Sequence, residues 1–336
     1  MTGPPLTRRA ALRAGAGIAS AGSFALAGCL GGADEGTGEL TIASSFEPDH
    51  VNVIAAERFA ERIEEGTDGR LSIEIVAGGA YGSEDEISEI VNQGGVEAHA
   101  AGSVPYYLYA PEYWFFGCPL VIDDYEHLLE LTEGEAFSEA RELLAERGNQ
   151  RPIGRQIYRG ERHTTANRPI REPDDLAGLD LRLPEFDPWV AIWQAIGAQP
   201  TPIALDELYS ALQVGTVDAT EGDADQISSV QLNEVQTHLS MTAHQIANGN
   251  LYVNDGFFRG LDEAYRELFF EAGHEATVEA TELAMEREQE LLDELADSGM
   301  TIVDDVDREA FREAARPAIE ELFETDWAGS WEGIRG

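Results

Sequence analysis

Two apolar periodicities take turns along this chain, and their order leaves few folds open. Residues 40–45 (LTIASS) read as a strand, and Val51, Ile54, Ala55, Phe59 and Ile63 follow at helical spacing. Leu71–Val76 (LSIEIV) alternates cleanly as a second strand. Residues 83–91 fit a helix capped by Ser83 with Glu86 as its capping-box partner, and 97–101 form a short third strand. This strand–helix–strand–helix–strand order predicts a parallel sheet covered by helices on both faces. A second set follows: a strand at 179–183, helices at 188–196 and 206–213 (the latter capped by Asp206), and a strand at 217–219. From 262 to 297 the pattern is continuously helical, with Leu268, Phe269, Ala272, Ala276, Leu283, Leu291 and Leu295 as the stripe and Gly273 as the expected weak point. Two α/β units and one long helix predict two lobes with a cleft between them, braced by that helix.

Charge narrows the partners. The chain has 336 residues, 64 acidic and 22 basic side chains, and a formal net charge of −42. No lysine occurs, so every basic residue is arginine. A nucleic-acid partner is excluded on this balance, because polyanion would meet polyanion, and a Walker-type phosphate loop lacks its lysine. Self-repulsion in dilute buffer and its relief in molar salt point to a salt-saturated environment. With 43% hydrophobic residues, the chain has enough apolar material for a sizeable core.

The first residues read as export machinery. Thr7-Arg8-Arg9 and then a weakly apolar, uncharged stretch from Ala14 to Ala27 resemble a twin-arginine signal over 1–28. Leu26-Ala27-Gly28-Cys29 has the form of a lipobox, making Cys29 the expected lipidation site and lipid-anchored N-terminus. Residues 29–38 then form a flexible tether. Cys118 is the other cysteine and is expected to be a small buried hydrophobe.

Signatures of common enzymes are missing: no HExxH, paired CxxC, GxSxG elbow or Rossmann glycine pattern is present. No catalytic residue, metal site or cofactor is expected. The informative anomaly is positive charge, since residues 147–171 carry arginines 147, 151, 155, 159, 162, 168 and 171 against one acid, Glu161. Most of these are expected to pair with acids elsewhere. One or two facing a cleft would hold an anion, because a planar guanidinium matches a carboxylate with two parallel hydrogen bonds.

The segment after that run decides the reading. Gly178-Leu-Asp-Leu-Arg182-Leu-Pro184, Ile196-Gly-Ala-Gln-Pro-Thr-Pro-Ile203 and Glu207-Leu-Tyr-Ser-Ala-Leu-Gln-Val-Gly-Thr-Val-Asp218, followed by Glu221, resemble a TRAP transporter solute-binding protein of the DctP type. Tyr81-Gly82, residues 160–168 (GERHTTANR) and Glu234-Val235-Gln236 add to the match, which covers about 39–325. The resemblance implies an α/β, two-lobe periplasmic-binding-protein-like fold with a long lobe-spanning helix. Lobe I would take 39–159 plus 251–296, and lobe II 160–250 plus 297–330. It implies an extracytoplasmic receptor, monomeric and without catalytic activity, that hands a small organic or sugar acid to a two-subunit TRAP membrane permease. Arg182 would grip the ligand carboxylate and Arg162 would contribute from a neighbouring strand. Glu84 matches an acidic position that faces hydroxylated ligands in some members. Phe46, Tyr107, Trp189 and Trp193 would either wall the ligand or belong to the core. Two departures stand out: Glu185 replaces a common Asn, and Gly222-Asp223 replace the Asn-Pro that usually follows Glu221. These changes place Glu185, Glu221 and Asp223 among the candidate ligand contacts. They point away from sialic acid and simple dicarboxylates, toward a hydroxyl-rich sugar acid, a cation-bridged carboxylate or a zwitterion. The competing readings are an exported enzyme acting on a small acidic substrate, which needs a catalytic constellation, and a non-transport surface lipoprotein, which predicts repeats or stalks.

Overall fold

The computed structural model describes residues 38–335. The expected signal, Cys29 and the tether as far as residue 37 lie outside the described residues. The strands are β1 (Gly38–Ala43), β2 (Leu71–Val76), β3 (Ala98–Ala101), β4 (Gln150–Pro152), β5 (Ile157–Ala166), β6 (Asp180–Leu183), β7 (Gln199–Pro202), β8 (Ala219–Gly222), β9 (His238–Asn254) and β10 (Thr301–Val303). They join in the order β2-β1-β3-β9-β5-β8-β6-β7, with β4 and β10 each paired to β9 off this path.

Both α/β sets form as their periodicities require. β1 runs parallel to β2 and β3, and β6 runs parallel to β7 and β8. The capping box is present, with the Ser83 amide donating to Glu86 at 2.9 Å ahead of the helix Glu84–Asn92. The sheet is nevertheless mixed rather than parallel throughout, because β5 and β9 run antiparallel to each other and to neighbours on either side. Neither strand shows in the apolar alternation. Nearly every residue of β9 from Leu239 on is buried, and burial on both faces erases the period of two. Many of those residues are His, Gln, Asn or Gly, which hides the strand further.

β9 is what makes two halves one sheet. Its C-terminal end pairs with β3 and β4, its N-terminal end pairs with β10, and β5 runs alongside it between them. The second brace is the 35-residue helix Glu263–Asp297. Its first turns bury Phe269, Ala272 and Ala276 against Ile42, Phe59 and Ile63 of the first half. Its last turns place Leu295 in a separate core with Leu208, Leu212, Ile227 and Leu239 of the second half. Gly273 is a point of contact rather than a weak point. A Cβ there would lie 2.4 Å from the Ile153 carbonyl oxygen, so the glycine lets the helix backbone close onto the chain entering β5.

Several boundaries differ from the sequence reading: β1 runs over Gly38–Ala43 instead of 40–45, taking residue 38 from the expected tether because it pairs with Leu71 of β2. The helix spans Leu205–Val214 with Ala204, already extended at φ −59° and ψ 154°, in the N-cap position instead of Asp206. The strand forms at Ala219–Gly222 instead of 217–219, because Val217 is drawn into the apolar cluster under that helix.

Candidate ligand-binding site

Alternation along β6 places Arg182. Leu181 and Leu183 are fully buried in the core, so the side chain between them faces the other way. It opens on a cavity of about 190 Å³ lined also by Arg162, Arg159, Glu84, Trp189 and Phe186. Arg182 is 3% exposed. Its Nε donates to the Ile203 carbonyl at 2.8 Å, which fixes the fork. No carboxylate among the described residues pairs with it. Burial lowers its pKa, an effect only partly offset by Glu221, so the cation is held in place without being neutralised at contact.

Arg162 is in the opposite condition. Its Nε donates to Glu221 Oε2 at 2.5 Å and its Nη2 to Oε1 at 2.8 Å. Its Nη2 also reaches Gln226 Oε1 at 3.2 Å. Glu221 is fully buried and takes a third contact from His244 Nε2 at 3.2 Å. Burial opposes its ionisation, but Arg162 and His244 outweigh burial and hold the carboxyl down at about 2. Burial likewise lowers His244 against the pull of Glu221. The cavity therefore presents Arg162 with its charge largely cancelled, and Arg182 with its charge available.

Glu84 and Arg159 occupy another part of the wall. Glu84 Oε1 is buried with no hydrogen-bond partner, and burial raises the carboxyl pKa although Arg159 opposes the shift. The Arg159 guanidinium lies over the Phe46 ring, 4.7 Å from its centroid, and its nearest carboxylate is Asp223 at 3.8 Å. Gln245 Oε1 and Asn248 Oδ1 are also buried and unpartnered in the lining. Buried polar atoms are normally satisfied. A group of unsatisfied ones around one cavity marks where a polar guest would complete the hydrogen bonding.

Of the residues expected from sequence, Arg182, Arg162, Glu84 and Trp189 come together at this cavity. Trp189 donates Nε1–H to the Gly117 carbonyl and sits under the Arg162 guanidinium. Glu221 lies behind Arg162 as its counter-ion. Asp223 is buried and caps the helix Ala224–Ser229 through the Gln226 amide. Phe46 backs Arg159, stacked on His50. Glu185 is exposed and outside the lining, one residue beyond Pro184, which does line it. Tyr107 packs on Trp114 and Phe186, and Trp193 is core against His244. The sequence reading did not single out Arg159, Gln245, Asn248 or Gln226. The arginine run contained Arg159, but a β-bulge decided its direction: the β5–β9 register shifts between Tyr158 and Gly160. The extra residue breaks the alternation, so Arg159 and Arg162, an odd number of residues apart, both reach the cavity.

Among the described residues, no group of three His, Cys, Asp or Glu side chains is arranged to hold a metal ion, and no helix is long and apolar enough to cross a membrane.

Residues 42–326 match the family described as bacterial extracellular solute-binding protein, family 7. A solute-binding protein of Roseobacter denitrificans is 30% identical over 266 residues, 79% of this chain and 81% of that one. The fold superposes on a TRAP periplasmic solute-binding protein from Polaromonas sp. JS666 with bound D-erythronate, at a TM-score of 0.80 and 29% identity over 89% of this chain and 98% of that one. It also superposes on one from Roseobacter denitrificans with bound L-galactonate, at a TM-score of 0.77 and 28% identity over 90% and 99%.

Proposed function

Because this chain belongs to the extracellular solute-binding protein family 7, we propose that it is the extracytoplasmic receptor of a TRAP-type transporter and takes up a small organic acid through Arg182. The observation that carries the role of Arg182 is its buried guanidinium, fixed by one backbone carbonyl and facing a cavity, with no carboxylate among the described residues in contact. Two Nη groups remain for a carboxylate. Hydrogen bonds to charged groups are worth roughly 1.5–3 kcal/mol each, so a two-bond grip supplies much of the ~8 kcal/mol of micromolar affinity. In a chain of net charge −42, a local bare cation is also what lets an anion approach at all.

The two α/β halves, 39–159 plus 251–296 and 160–250 plus 297–330, would close on the ligand about β5 and β9. The receptor would pass it to a two-subunit permease, held at the membrane by lipidated Cys29 after twin-arginine export, in a salt-rich medium. The test is titration of organic acids, sugar acids among them, into the parent and Arg182→Ala in molar salt. The expected result is a loss of at least about a hundredfold in affinity in the variant. Equal binding by both proteins would remove Arg182 from the role.

A further inference from the structure

We propose that Glu288, on the long helix and outside the lining of the ligand cavity, is a positioning residue for ligand capture: it holds the bulge of β5 that aims Arg159 into that cavity. The inference rests on the receptor reading above and adds to it a residue that sets affinity without touching the ligand.

The long helix meets β5 and its approach at three backbone amides. The Arg155 amide donates to Thr277 Oγ1 at 3.2 Å, the Tyr158 amide to Thr281 Oγ1 at 3.1 Å, and the Glu161 amide to Glu288 Oε1 at 2.7 Å. The third contact differs from the other two, because its acceptor is a carboxylate with a second oxygen to use. Glu288 Oε2 accepts from the Tyr158 hydroxyl, also at 2.7 Å. Hydrogen bonds to an ionised acceptor are roughly twice as strong as neutral ones. Burial and the Glu288 carboxylate both raise the Tyr158 pKa, so the hydroxyl keeps its proton and remains a donor. One side chain thus grips the strand before and after the two residues between, Arg159 and Gly160.

Those two residues are the bulge. The register passes from Tyr158 opposite Asn248 to Gly160 opposite Ala247, so Arg159 has no partner on β9 and the ladder does not set its direction. Gly160 takes φ +121°, and a Cβ there would lie 3.1 Å from Glu288 Oε1. The glycine therefore both makes the turn and admits the carboxylate. Arg159 lines two cavities at once, the ligand cavity and a smaller one of about 30 Å³ that Glu288, Arg287, Asp223 and His50 also line. Its Nε is buried with no hydrogen-bond partner, and its nearest carboxylate among the described residues, Asp223, is 3.8 Å away. Apart from the Phe46 ring, what aims the guanidinium is the backbone of the bulge. Without Glu288 both grips are lost, and a slip of one residue in the strand turns a side chain to the opposite face.

The test titrates the full chain in molar salt with organic and sugar acids, D-erythronate and L-galactonate among them, each protein well below its own melting midpoint. The proteins are the parent, Glu288→Ala, Glu288→Gln and Tyr158→Phe, the same three changes in an Arg159→Gln background, and Arg182→Ala. For the acids that the parent binds, Glu288→Ala should lower affinity about tenfold. Glu288→Gln should stay within about twofold of the parent, since its carbonyl oxygen still accepts from the Glu161 amide and its NH2 donates to the Tyr158 hydroxyl. Tyr158→Phe gives up one grip and should fall between them. In the Arg159→Gln background none of the three should weaken binding further, because the group that they aim is gone. A residue that only supports the fold would cost the same affinity in both backgrounds, and that result overturns the inference. So does Glu288→Ala binding as the parent does, or Glu288→Gln binding as weakly as Glu288→Ala. If Glu288→Ala does not fold, Tyr158→Phe carries the same comparison between backgrounds. These outcomes leave the receptor reading intact, whereas retained binding in Arg182→Ala overturns that reading separately. A parent that binds no acid overturns both.

Discussion

Arg162 closes on Glu221 through two hydrogen bonds of 2.5 and 2.8 Å, whereas the side chain of Arg182, on β6 beyond the intervening β8, hydrogen-bonds among the described residues only to the carbonyl of Ile203. Two arginines at one cavity are thus in different conditions: the charge of Arg162 is met within the fold, while that of Arg182 meets no carboxylate among the described residues, which under the proposed function leaves it for a guest.

The difference predicts opposite phenotypes for the same substitution. Arg162→Ala strands Glu221, a fully buried carboxylate, and removing one partner of a buried pair costs about 3–5 kcal/mol. Its thermal midpoint should fall by many degrees. Arg182→Ala should melt close to the parent and lose ligand affinity. Melting and titration of the two variants side by side check this, and equal melting losses would contradict it.

Acid should destabilise the protein well above the carboxylate range. Burial holds His99 at about 4 and His163 at about 3. Both stay neutral in the folded chain while the unfolded chain takes up protons below about 6.5. Stability is therefore full above that value and falls as pH drops through it, by up to ~1.4 kcal/mol per pH unit for each histidine. Glu221, held at about 2, adds a further loss below about 4.5. Urea midpoints at pH 7.5, 6.5, 5.5 and 4.5 in constant molar salt should decline from the second point on. A flat profile down to pH 5 would contradict the assignment.

Salt should stabilise. With 64 acids against 22 arginines, repulsion acts across the surface in dilute buffer, and molar salt shortens its range to roughly 3 Å. Each ~1 kcal/mol of relieved repulsion moves the midpoint by roughly 2 °C in a chain this long. Thermal melts from 0.1 to 2 M NaCl should rise steadily, and a fall over that range would refute the salt-adapted reading.

At Gly273 packing should override helix propensity. Alanine in place of a mid-helix glycine gains about 1 kcal/mol on propensity alone. Here its Cβ would meet the Ile153 carbonyl at 2.4 Å, a backbone atom with little room to yield. Overpacking costs about 1–3 kcal/mol, so Gly273→Ala should lower the urea midpoint. A raised midpoint would show that the helix and the entry to β5 slide apart easily.

The alternating periods determined both α/β sets, the ends of the long helix to within a residue and the capping box at Ser83 and Glu86, because these depend on neighbours a few positions away. The motif around Arg182 also stands in the sequence, since a lone arginine between two core leucines of a short strand has only one face left to it. Tertiary structure alone decided the rest. β9 is buried on both faces, so its residues carry no alternation to read. Arg159 turns into the cavity by a bulge that depends on Glu288, more than a hundred residues away. Glu221 and Glu185 are both acids near the same motif, yet one is locked behind Arg162 and the other projects outward past Pro184. Residue type sets what a side chain can bind, but which partner it meets first is fixed by packing between distant segments, and that partner decides whether its charge is spent inside the fold or kept for a ligand.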